Sequence, residues 1–267
     1  MGSAFSETNR GGEGPPLLLV HGFTDTWRTW ELVLAALERS HEVLAPTLPG
    51  HAGAHPPGGP LGAEPILDEL ERTMDAAGWD TAHVAGNSLG GYVAVKLAER
   101  GRAKSVVALA PAGGWAADDP FFSATLVPLF TGLRAQLAVA EPHLDAMLAT
   151  PEGRRLATSQ TVVNYEHIPV ELLAHQARGM IGCDGADELM QSALTDGFSL
   201  DAENIECPVR IVWGTEDRIL PWPAAAVRYR EEWLPNADWV VLDGVGHMPQ
   251  LDVPLETEQL ILGFTTR

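Results

Sequence analysis

The sequence predicts an α/β fold, with a mostly parallel, twisted sheet, helices on both of its faces and an inserted helical lid. Short apolar runs with the character of buried strands precede segments of helical periodicity. Polar residues follow the ends of several of these runs, where parallel sheets build their sites. Between residue 115 and about residue 201 no strand-like run occurs. We therefore expect a core domain of residues 1–114 and 201–267 and a lid segment of residues 115–200.

The predicted elements follow one another in a simple order. The first 16 residues are polar and glycine-rich and leave room for one short edge strand, around residues 4–8. Further strands are expected at residues 17–20, 41–45, 81–85, 105–110, 209–214 and 239–242. Core helices are expected at residues 66–78, 91–100, 223–233 and 254–264. In the lid segment, prolines and glycines such as Pro128, Gly132 and Gly179 are expected to separate the helices.

The most informative motif is GNSLG at residues 86–90, between a strand-like run and a helix-like run. Flanking glycines suit a strained turn in which Cβ atoms would clash with the neighbouring strand and helix. Such a turn exposes the hydroxyl of Ser88, with a helix N-terminus behind it that favours developing negative charge. The motif predicts a nucleophilic serine, and the alternative is an ordinary turn serine.

A serine needs a base to remove its proton and a carboxylate to orient that base. Asp217 follows the strand at residues 209–214, and His247 lies in a glycine-flanked loop after the last strand. We therefore expect a catalytic triad of Ser88, Asp217 and His247.

Other polar residues compete for these roles. Glu216 and Asp243 are alternatives to Asp217, and Asp201 and Glu203 are outside candidates. The histidines that compete with His247 are His21, His51, His55, His83, His143, His167 and His175. We expect His21 and His51 to be structural, His83 to lie in the core and the lid histidines to face solvent. Arg218 is expected to pair with a surface carboxylate rather than with substrate.

The aliphatic strand at residues 17–20 runs straight into His21 and Gly22, after which a backbone N–H is free to point at a substrate oxygen. Acyl transfer needs two such donors for its tetrahedral oxyanion. The natural pair is the backbone amides of Phe23 and Leu89.

These motifs together resemble the α/β-hydrolase superfamily, in its lidded, esterase-like branch. The resemblance is carried by His21-Gly22-Phe23, Leu48-Pro49-Gly50-His51, Gly86-Asn87-Ser88-Leu89-Gly90-Gly91, Trp213-Gly214-Thr215-Glu216-Asp217 and Gly246-His247. It spans residue 17 to about residue 254, nearly the whole chain. The resemblance implies the α/β-hydrolase fold and is less specific for the substrate.

The lid segment is expected to roof the pocket over Ser88. Most of its large apolar residues are expected to pack the lid on the core, but a pocket needs some of them exposed. The candidate substrate contacts are Phe121, Phe122, Leu126, Phe130, Met180 and Met248. They predict an apolar acyl or aryl binding site.

The net charge is −19, and Lys96 and Lys104 are the only lysines. No basic stripe exists, which argues against nucleic-acid binding. The same field disfavours polyanionic substrates and favours neutral or cationic ones. Alternatively, the charge serves solubility alone.

Further composition signals concern the cellular setting. No run of about 20 apolar residues predicts a membrane span, and the N-terminus lacks the pattern of a secretory signal. Cys183 and Cys207 are well separated, lack metal-ligand spacing and suggest reduced structural thiols. We expect a cytoplasmic protein, a monomer or homodimer, that needs neither cofactor nor metal.

The expected function is hydrolysis of carboxylic esters, lactones or thioesters of small to medium apolar substrates. Three alternatives share the architecture: a carbon–carbon bond hydrolase of vinylogous diketones, a cofactor-free perhydrolase or haloperoxidase, and a receptor-like binding protein. The first is weakened because Met248 follows His247 where that group tends to place tryptophan. Haloalkane dehalogenases and epoxide hydrolases are disfavoured because they place aspartate where Ser88 stands.

Overall fold

The fold is built on one seven-stranded sheet, seen in a computed structural model that describes residues 5–55 and 58–265. Its strands are β1 (Thr8–Gly11), β2 (Pro16–Val20), β3 (Glu42–Pro46), β4 (Ala82–Asn87), β5 (Ala103–Leu109), β6 (Val209–Gly214) and β7 (Asp238–Leu242). Their order is β1-β3-β2-β4-β5-β6-β7. β1 runs antiparallel to β3, and all other neighbours are parallel. The carboxyl ends of the parallel strands therefore share one edge.

Helices join these strands. They are α1 (Glu31–Leu37), α2 (Ala63–Ala77), α3 (Leu89–Glu99), α4 (Val127–Ala140), α5 (Leu144–Leu148), α6 (Pro151–Thr158), α7 (Val170–Ile181), α8 (Ala186–Asp196), α9 (Pro249–Asp252) and α10 (Pro254–Thr265). Short 3₁₀ turns occur at Trp27–Trp30, Glu141–His143, Ala202–Asn204 and Ala224–Ala226, and π-helical turns at Phe122–Leu126 and Tyr229–Trp233. Helices α4 to α8 all lie between β5 and β6. The boundaries of the lid segment stay a prediction.

The centre of the sheet is buried on both faces, which explains the apolar run of β2. Leu18 and Val20 of β2 pack into the larger apolar cluster, whereas Leu17 and Leu19 pack into a second cluster on the opposite face. Successive side chains of a strand point to opposite faces, so each layer of helices covers one set. The predicted α/β architecture is confirmed.

The edge strand lies later in the chain than predicted. Residues 1–4 fall outside the described residues, and β1 pairs with β3 from Thr8 opposite Pro46 to Gly11 opposite Val43. The position is set by pairing with β3, which the polar residues of an edge strand do not reveal.

The prediction that Pro128, Gly132 and Gly179 separate helices is wrong, because the first two lie inside α4 and the third inside α7. Proline normally clashes with the carbonyl four residues before it. Here a π-helical turn precedes Pro128, and the Val127 N–H donates to the Phe122 carbonyl five residues back. This widened turn makes room for the proline ring.

One helical stretch of the described residues, Phe122–Leu148, could cross a membrane by length and composition alone. A single such stretch is weak evidence for a membrane span, because helices of soluble proteins pass the same test. The expected lack of a span stays a prediction.

Candidate active site

Ser88 lies at the apex of the turn between β4 and α3. Its φ of 57° and ψ of −117° are strained values for a residue with a side chain. A Cβ on Gly86 would collide with the Gly90 carbonyl, and one on Gly90 would collide with the Val20 carbonyl. The two glycines therefore allow the close approach of strand and helix that holds the serine at the carboxyl edge of the sheet.

Asp217 and His247 form a buried pair at the same edge. The His247 Nδ1 donates to Oδ2 of Asp217 at 2.7 Å. The other carboxylate oxygen, Oδ1, accepts the backbone N–H groups of Ile219 at 2.9 Å and Leu220 at 2.7 Å. These donors orient the carboxylate, and the carboxylate orients the imidazole. Nε2 is left as the ring nitrogen that can take up a proton.

The competing acidic residues near Asp217 lie elsewhere. Glu216 is exposed, and Asp243 accepts a hydrogen bond from the Thr215 hydroxyl at 3.2 Å. Arg218 was expected to pair with a carboxylate, but it donates to the Ser159 carbonyl at 3.0 Å. This contact joins the loop after β6 to the lid segment. Charge patterning does not reveal it, because the partner is a backbone carbonyl.

Asn87 connects the serine turn to the histidine loop, defined here as residues 243–248. Its Nδ2 donates to the Leu109 carbonyl at 3.1 Å and to the His247 carbonyl at 3.0 Å. Gln250 Nε2 in turn donates to Asn87 Oδ1 at 3.2 Å and to Thr29 Oγ1 at 3.0 Å. These side chains are all buried. The amide network therefore positions the backbone of His247 against the serine turn.

Asp252 joins the histidine loop to the lid segment. Its buried carboxylate accepts the backbone N–H of Gly246 at 2.6 Å and of Val163 at 2.9 Å. It also accepts the backbone N–H of Asn164 at 2.8 Å and the side-chain Nδ2 of that residue at 2.7 Å. Sequence reasoning missed this residue. No local pattern marks it, because its lid partners are 88 and 89 positions away.

The turn after β2 lies against the serine. A Cβ added to Gly22 would be 3.3 Å from the Ser88 Cβ. Within residues 5–55 and 58–265, neither the Phe23 N–H nor the Leu89 N–H donates to a protein acceptor. Both amides expected to bind an oxyanion are thus unpaired beside the serine.

Two cavities meet at Ser88. The apolar chamber, of about 90 Å³, is lined chiefly by Leu89, Trp115, Phe122, Leu126, Met190 and Phe198. The histidine chamber, of about 130 Å³, is lined among others by Asp25, Thr158, Leu173, Gln176, Met180 and His247. Ser88 and Phe23 line both chambers, whereas His247 lines only the second of them. The serine thus stands between an apolar space and a more polar one.

Five of the six predicted substrate contacts lie on chamber walls. Phe122 and Leu126 line the apolar chamber, Met180 and Met248 the histidine chamber, and Phe130 both. Phe121 lines neither chamber and packs on Trp115, with ring centroids 5.6 Å apart. Their contact with substrate stays a prediction.

Several of the other histidines make structural contacts. His21 Nδ1 donates to the Gly22 carbonyl at 2.8 Å, and its Nε2 accepts the Leu48 N–H at 2.8 Å. Burial, together with nearby His51, holds the pKa of His21 well below its usual value, so the ring stays neutral. Solvent exposure was expected for His175, which is instead buried, with Nε2 2.8 Å from the Thr26 hydroxyl oxygen.

Among the described residues, no group of three or more histidine, cysteine, aspartate or glutamate side chains is arranged to hold a metal. Cys183 and Cys207 are free thiols. Burial raises the pKa of Cys183 to about 12 and that of Cys207 to about 11, which keeps both protonated at neutral pH.

Comparison with known sequences finds relatives along most of the chain. A model of the alpha/beta hydrolase family matches residues 17–260. The epoxide hydrolase EphH of Mycobacterium tuberculosis is 34% identical over 200 residues, which cover 74% of this chain and 92% of that protein. A dihydrolipoyllysine-residue acetyltransferase component of the acetoin cleaving system of Pseudomonas putida is 30% identical over 95% of this chain. The match covers 64% of that second relative, less than two thirds of its length.

Solved structures have the same fold. A putative lipase from Acinetobacter baumannii AYE superposes with a TM-score of 0.73 and 26% identity, over 96% of this chain and 86% of the lipase. A bacterial membrane phospholipase A reaches a TM-score of 0.76 at 22% identity, over 96% of this chain and 81% of the phospholipase, which supports the fold alone. The family match includes the six parallel strands from Leu17 onward, the serine turn and the histidine loop. The chain belongs to the alpha/beta hydrolase family.

Proposed function

We propose that this hydrolase cleaves carboxylic esters of small to medium apolar substrates through an acyl-enzyme on Ser88, and that lactones and thioesters react in the same way. One observation carries the proposal. His247, whose Nδ1 is hydrogen-bonded to Asp217 at 2.7 Å, lines the same chamber as a strained serine. Two unpaired backbone amides adjoin that serine, as acyl transfer requires.

In the acylation step, Ser88 Oγ attacks the acyl carbon while His247 Nε2 accepts the hydroxyl proton. The resulting imidazolium is stabilised by Asp217. The negative charge moves to the former carbonyl oxygen, which accepts hydrogen bonds from the amides of Phe23 and Leu89. As the carbonyl re-forms, the bond to the leaving oxygen breaks, and that oxygen takes the proton from Nε2.

Deacylation repeats the sequence with water in place of the serine. His247 removes a proton from water as the water oxygen attacks the acyl carbon. The tetrahedral intermediate then collapses, Ser88 Oγ leaves and regains the proton, and the acid is released. Every proton in the cycle passes through one imidazole nitrogen, so a single oriented histidine is sufficient.

The test is hydrolysis of p-nitrophenyl esters of graded chain length by the wild type and by Ser88→Ala. We expect kcat to fall about 10⁴-fold or more in Ser88→Ala. Ser40→Ala serves as the matched control, because Ser40 is exposed. Full activity in Ser88→Ala would refute the acyl-enzyme. The chain length that the wild type hydrolyses best reports the size of the apolar chamber.

Epoxide hydrolysis is the second candidate function, since EphH is 34% identical to this chain. Attack on an epoxide by a carboxylate gives an ester, which water can hydrolyse. Attack by Ser88 would give an ether, which has no carbonyl for water to attack. An epoxide reaction here would therefore need water as the nucleophile, with His247 as its base.

Styrene oxide distinguishes these two functions. Hydrolysis that persists in Ser88→Ala and disappears in His247→Ala would identify the water-dependent epoxide reaction. Ester turnover that depends on both residues, without epoxide turnover, supports the proposed esterase. The same variants are assayed with a vinylogous diketone and for peroxide-dependent halogenation. These assays test the carbon–carbon bond hydrolase and the perhydrolase or haloperoxidase alternatives.

The setting of the reaction is also a proposal. We place the enzyme in the cytoplasm, acting on small molecules without a cofactor, as a monomer or homodimer. The excess of 36 acidic over 17 basic residues supports neutral or cationic substrates over polyanions. Light scattering of the purified protein measures the oligomeric state.

A further inference from the structure

The two chambers beside Ser88 must hold different halves of an ester. The leaving oxygen has to reach His247 Nε2 to take its proton, and His247 lines only the histidine chamber of the two. The leaving group therefore lies in the histidine chamber, and the acyl group lies in the apolar chamber. This assignment rests on the proposed esterase function.

The histidine chamber contains a buried carboxylate that the ester mechanism does not use. Asp25 lines this chamber, and its Oδ1 accepts the Thr26 N–H at 2.8 Å. Its Oδ2 accepts Nε2 of Gln176 at 3.1 Å, and the Thr29 side chain supplies a further hydrogen bond. A carboxylate has about four acceptor positions. One of them is left for a ligand.

The remaining polar groups of this chamber also accept hydrogen bonds. One N–H of Gln176 Nε2 donates to Asp25, which leaves the second N–H and the amide oxygen Oε1. The hydroxyls of Thr24, Thr158 and Thr161 each donate to a backbone carbonyl, at 2.7, 2.9 and 3.3 Å. Their oxygens therefore offer only lone pairs. Outside the proposed triad and oxyanion donors, the chamber's free side-chain acceptors outnumber its free side-chain donors, which include the second N–H of Gln176.

The electrostatic environment favours the same kind of ligand. Burial raises the pKa of Asp25 to about 6, because the hydrogen bonds to the carboxylate do not fully offset its loss of hydration. A ligand that donates a hydrogen bond, above all a charged one, would supply the missing compensation. The net charge of −19 attracts cations towards the protein as a whole.

We propose that the histidine chamber binds a leaving alcohol that carries a second hydrogen-bond donor, a hydroxyl or a protonated amine, and that Asp25 and Gln176 recognise this donor. The apolar walls of the chamber, Leu173 and Met180 among them, contact the carbon chain between the two polar ends. The substrate class is then an apolar acid esterified to a diol or an amino alcohol.

The test compares butanoate esters in matched pairs near pH 8. The 3-hydroxypropyl ester is paired with the butyl ester, and the 3-(dimethylamino)propyl ester with the 4-methylpentyl ester. We expect kcat/KM to favour the donor of each pair by about 10- to 100-fold. A 3-(trimethylammonio)propyl ester, which has charge but no N–H, separates hydrogen bonding from charge attraction.

Variants then locate the recognition. Asp25→Asn and Gln176→Met should each lower kcat/KM for the donor esters more than for the apolar esters. The ratio of kcat/KM between the donor ester and the apolar ester of each pair should then lie within about threefold of one. Asp80→Asn removes the same charge at an exposed position before the amino end of β4, and should leave the ratio unchanged. Thermal melting of each variant checks folding, and Gln176→Met serves if Asp25→Asn does not fold.

The outcomes separate this inference from the esterase proposal. If apolar esters are cleaved with dependence on Ser88 but donors confer no advantage, the chamber assignment is overturned and the esterase stands. If no ester is cleaved, the esterase fails, and binding of 3-dimethylamino-1-propanol is measured by ligand-observed NMR. Binding that is lost in Asp25→Asn supports the site, and equal or absent binding in both proteins overturns it.

Discussion

The serine turn and the histidine loop lie at one edge of the sheet but are held in place by different means. Ser88 is held by its own neighbours, since two flanking glycines let β4 and α3 approach and strain sets the backbone. His247 is held by two side chains distant in sequence, Asp217 and Asn87. The nearby Asp252, which is itself bound to the lid segment, holds the loop through Gly246.

This difference teaches which changes each region tolerates. Backbone packing around the serine turn leaves no space for an added methyl group, so the turn is sensitive to volume. The shape of the histidine loop depends on hydrogen bonds with polar partners, so the loop is sensitive to the identity and charge of those partners. Substitutions that alter one property at a time therefore separate the two regions.

Among the substitutions that separate the two regions, Asp217→Asn has the largest expected effect, and it changes polarity at the histidine loop without changing volume. The N–H groups of Ile219 and Leu220 still need an acceptor, so the new amide turns its NH₂ towards His247. That fixes the proton on Nε2, and the ring can no longer act as a base. We expect kcat for p-nitrophenyl esters to fall roughly 10³- to 10⁴-fold, while exposed Asp243→Asn stays near wild type.

The serine turn should respond to volume alone, as Gly90→Ala tests. The new methyl group would meet the Val20 carbonyl, which belongs to a buried strand and cannot move aside. We expect a loss of about 4 kcal/mol or more in the free energy of unfolding, measured in urea. Gly132→Ala in α4 is the control, because a Cβ there meets nothing within 4 Å. Equal stability of the two variants would contradict the packing account.

Asp252→Asn probes the link between the histidine loop and the lid segment. An amide keeps one acceptor oxygen and turns an NH₂ group towards some of the four N–H donors that the carboxylate satisfies. We expect a loss of about 3 to 4 kcal/mol in the free energy of unfolding and a fall in kcat of about tenfold.

Asp187→Asn provides the comparison for Asp252→Asn. Asp187 is an exposed partner of Arg134 in the lid segment. Its replacement should change stability by less than about 1 kcal/mol. A wild-type kcat in Asp252→Asn would show that the lid contact does not position the histidine.

The smallest expected effect is on the pH dependence of stability, and it comes from the turn after β2. Burial raises the pKa of Asp25 from 3.8 to about 6, so the folded state binds its proton more tightly than the unfolded state. Its contribution to stability is complete below pH 3.8 and is lost as the pH rises through 6. Relative to Asp25→Asn, the wild type should gain about 2 kcal/mol between pH 7.5 and pH 4.5.

Urea unfolding of wild type and Asp25→Asn at both pH values measures this gain. A difference between the two proteins that does not change with pH would place the pKa of Asp25 at its ordinary value. The carboxyl group would then be well compensated in the folded protein.

Much of the fold was predictable because its signals are local. The strands after the first lie within a few residues of their predicted positions, and α2 is capped by Gly78, whose φ of 80° suits glycine. Each residue of the proposed triad follows a strand with turn residues beside it. Asp25, Gln250 and Asp252 escaped notice because a buried polar residue resembles an exposed one in sequence.

The sequence by itself determined the α/β fold and the position of each candidate catalytic residue. Apolar periodicity and glycine sterics act between near neighbours, so they can be read along the chain. Only the tertiary structure decided which side chains hold His247 in place, which helix continues through Pro128 and which chamber lies on either side of Ser88. These features depend on contacts between residues as much as 221 positions apart, such as Thr29 and Gln250. Their hydrogen bonds exist only when the chain has folded.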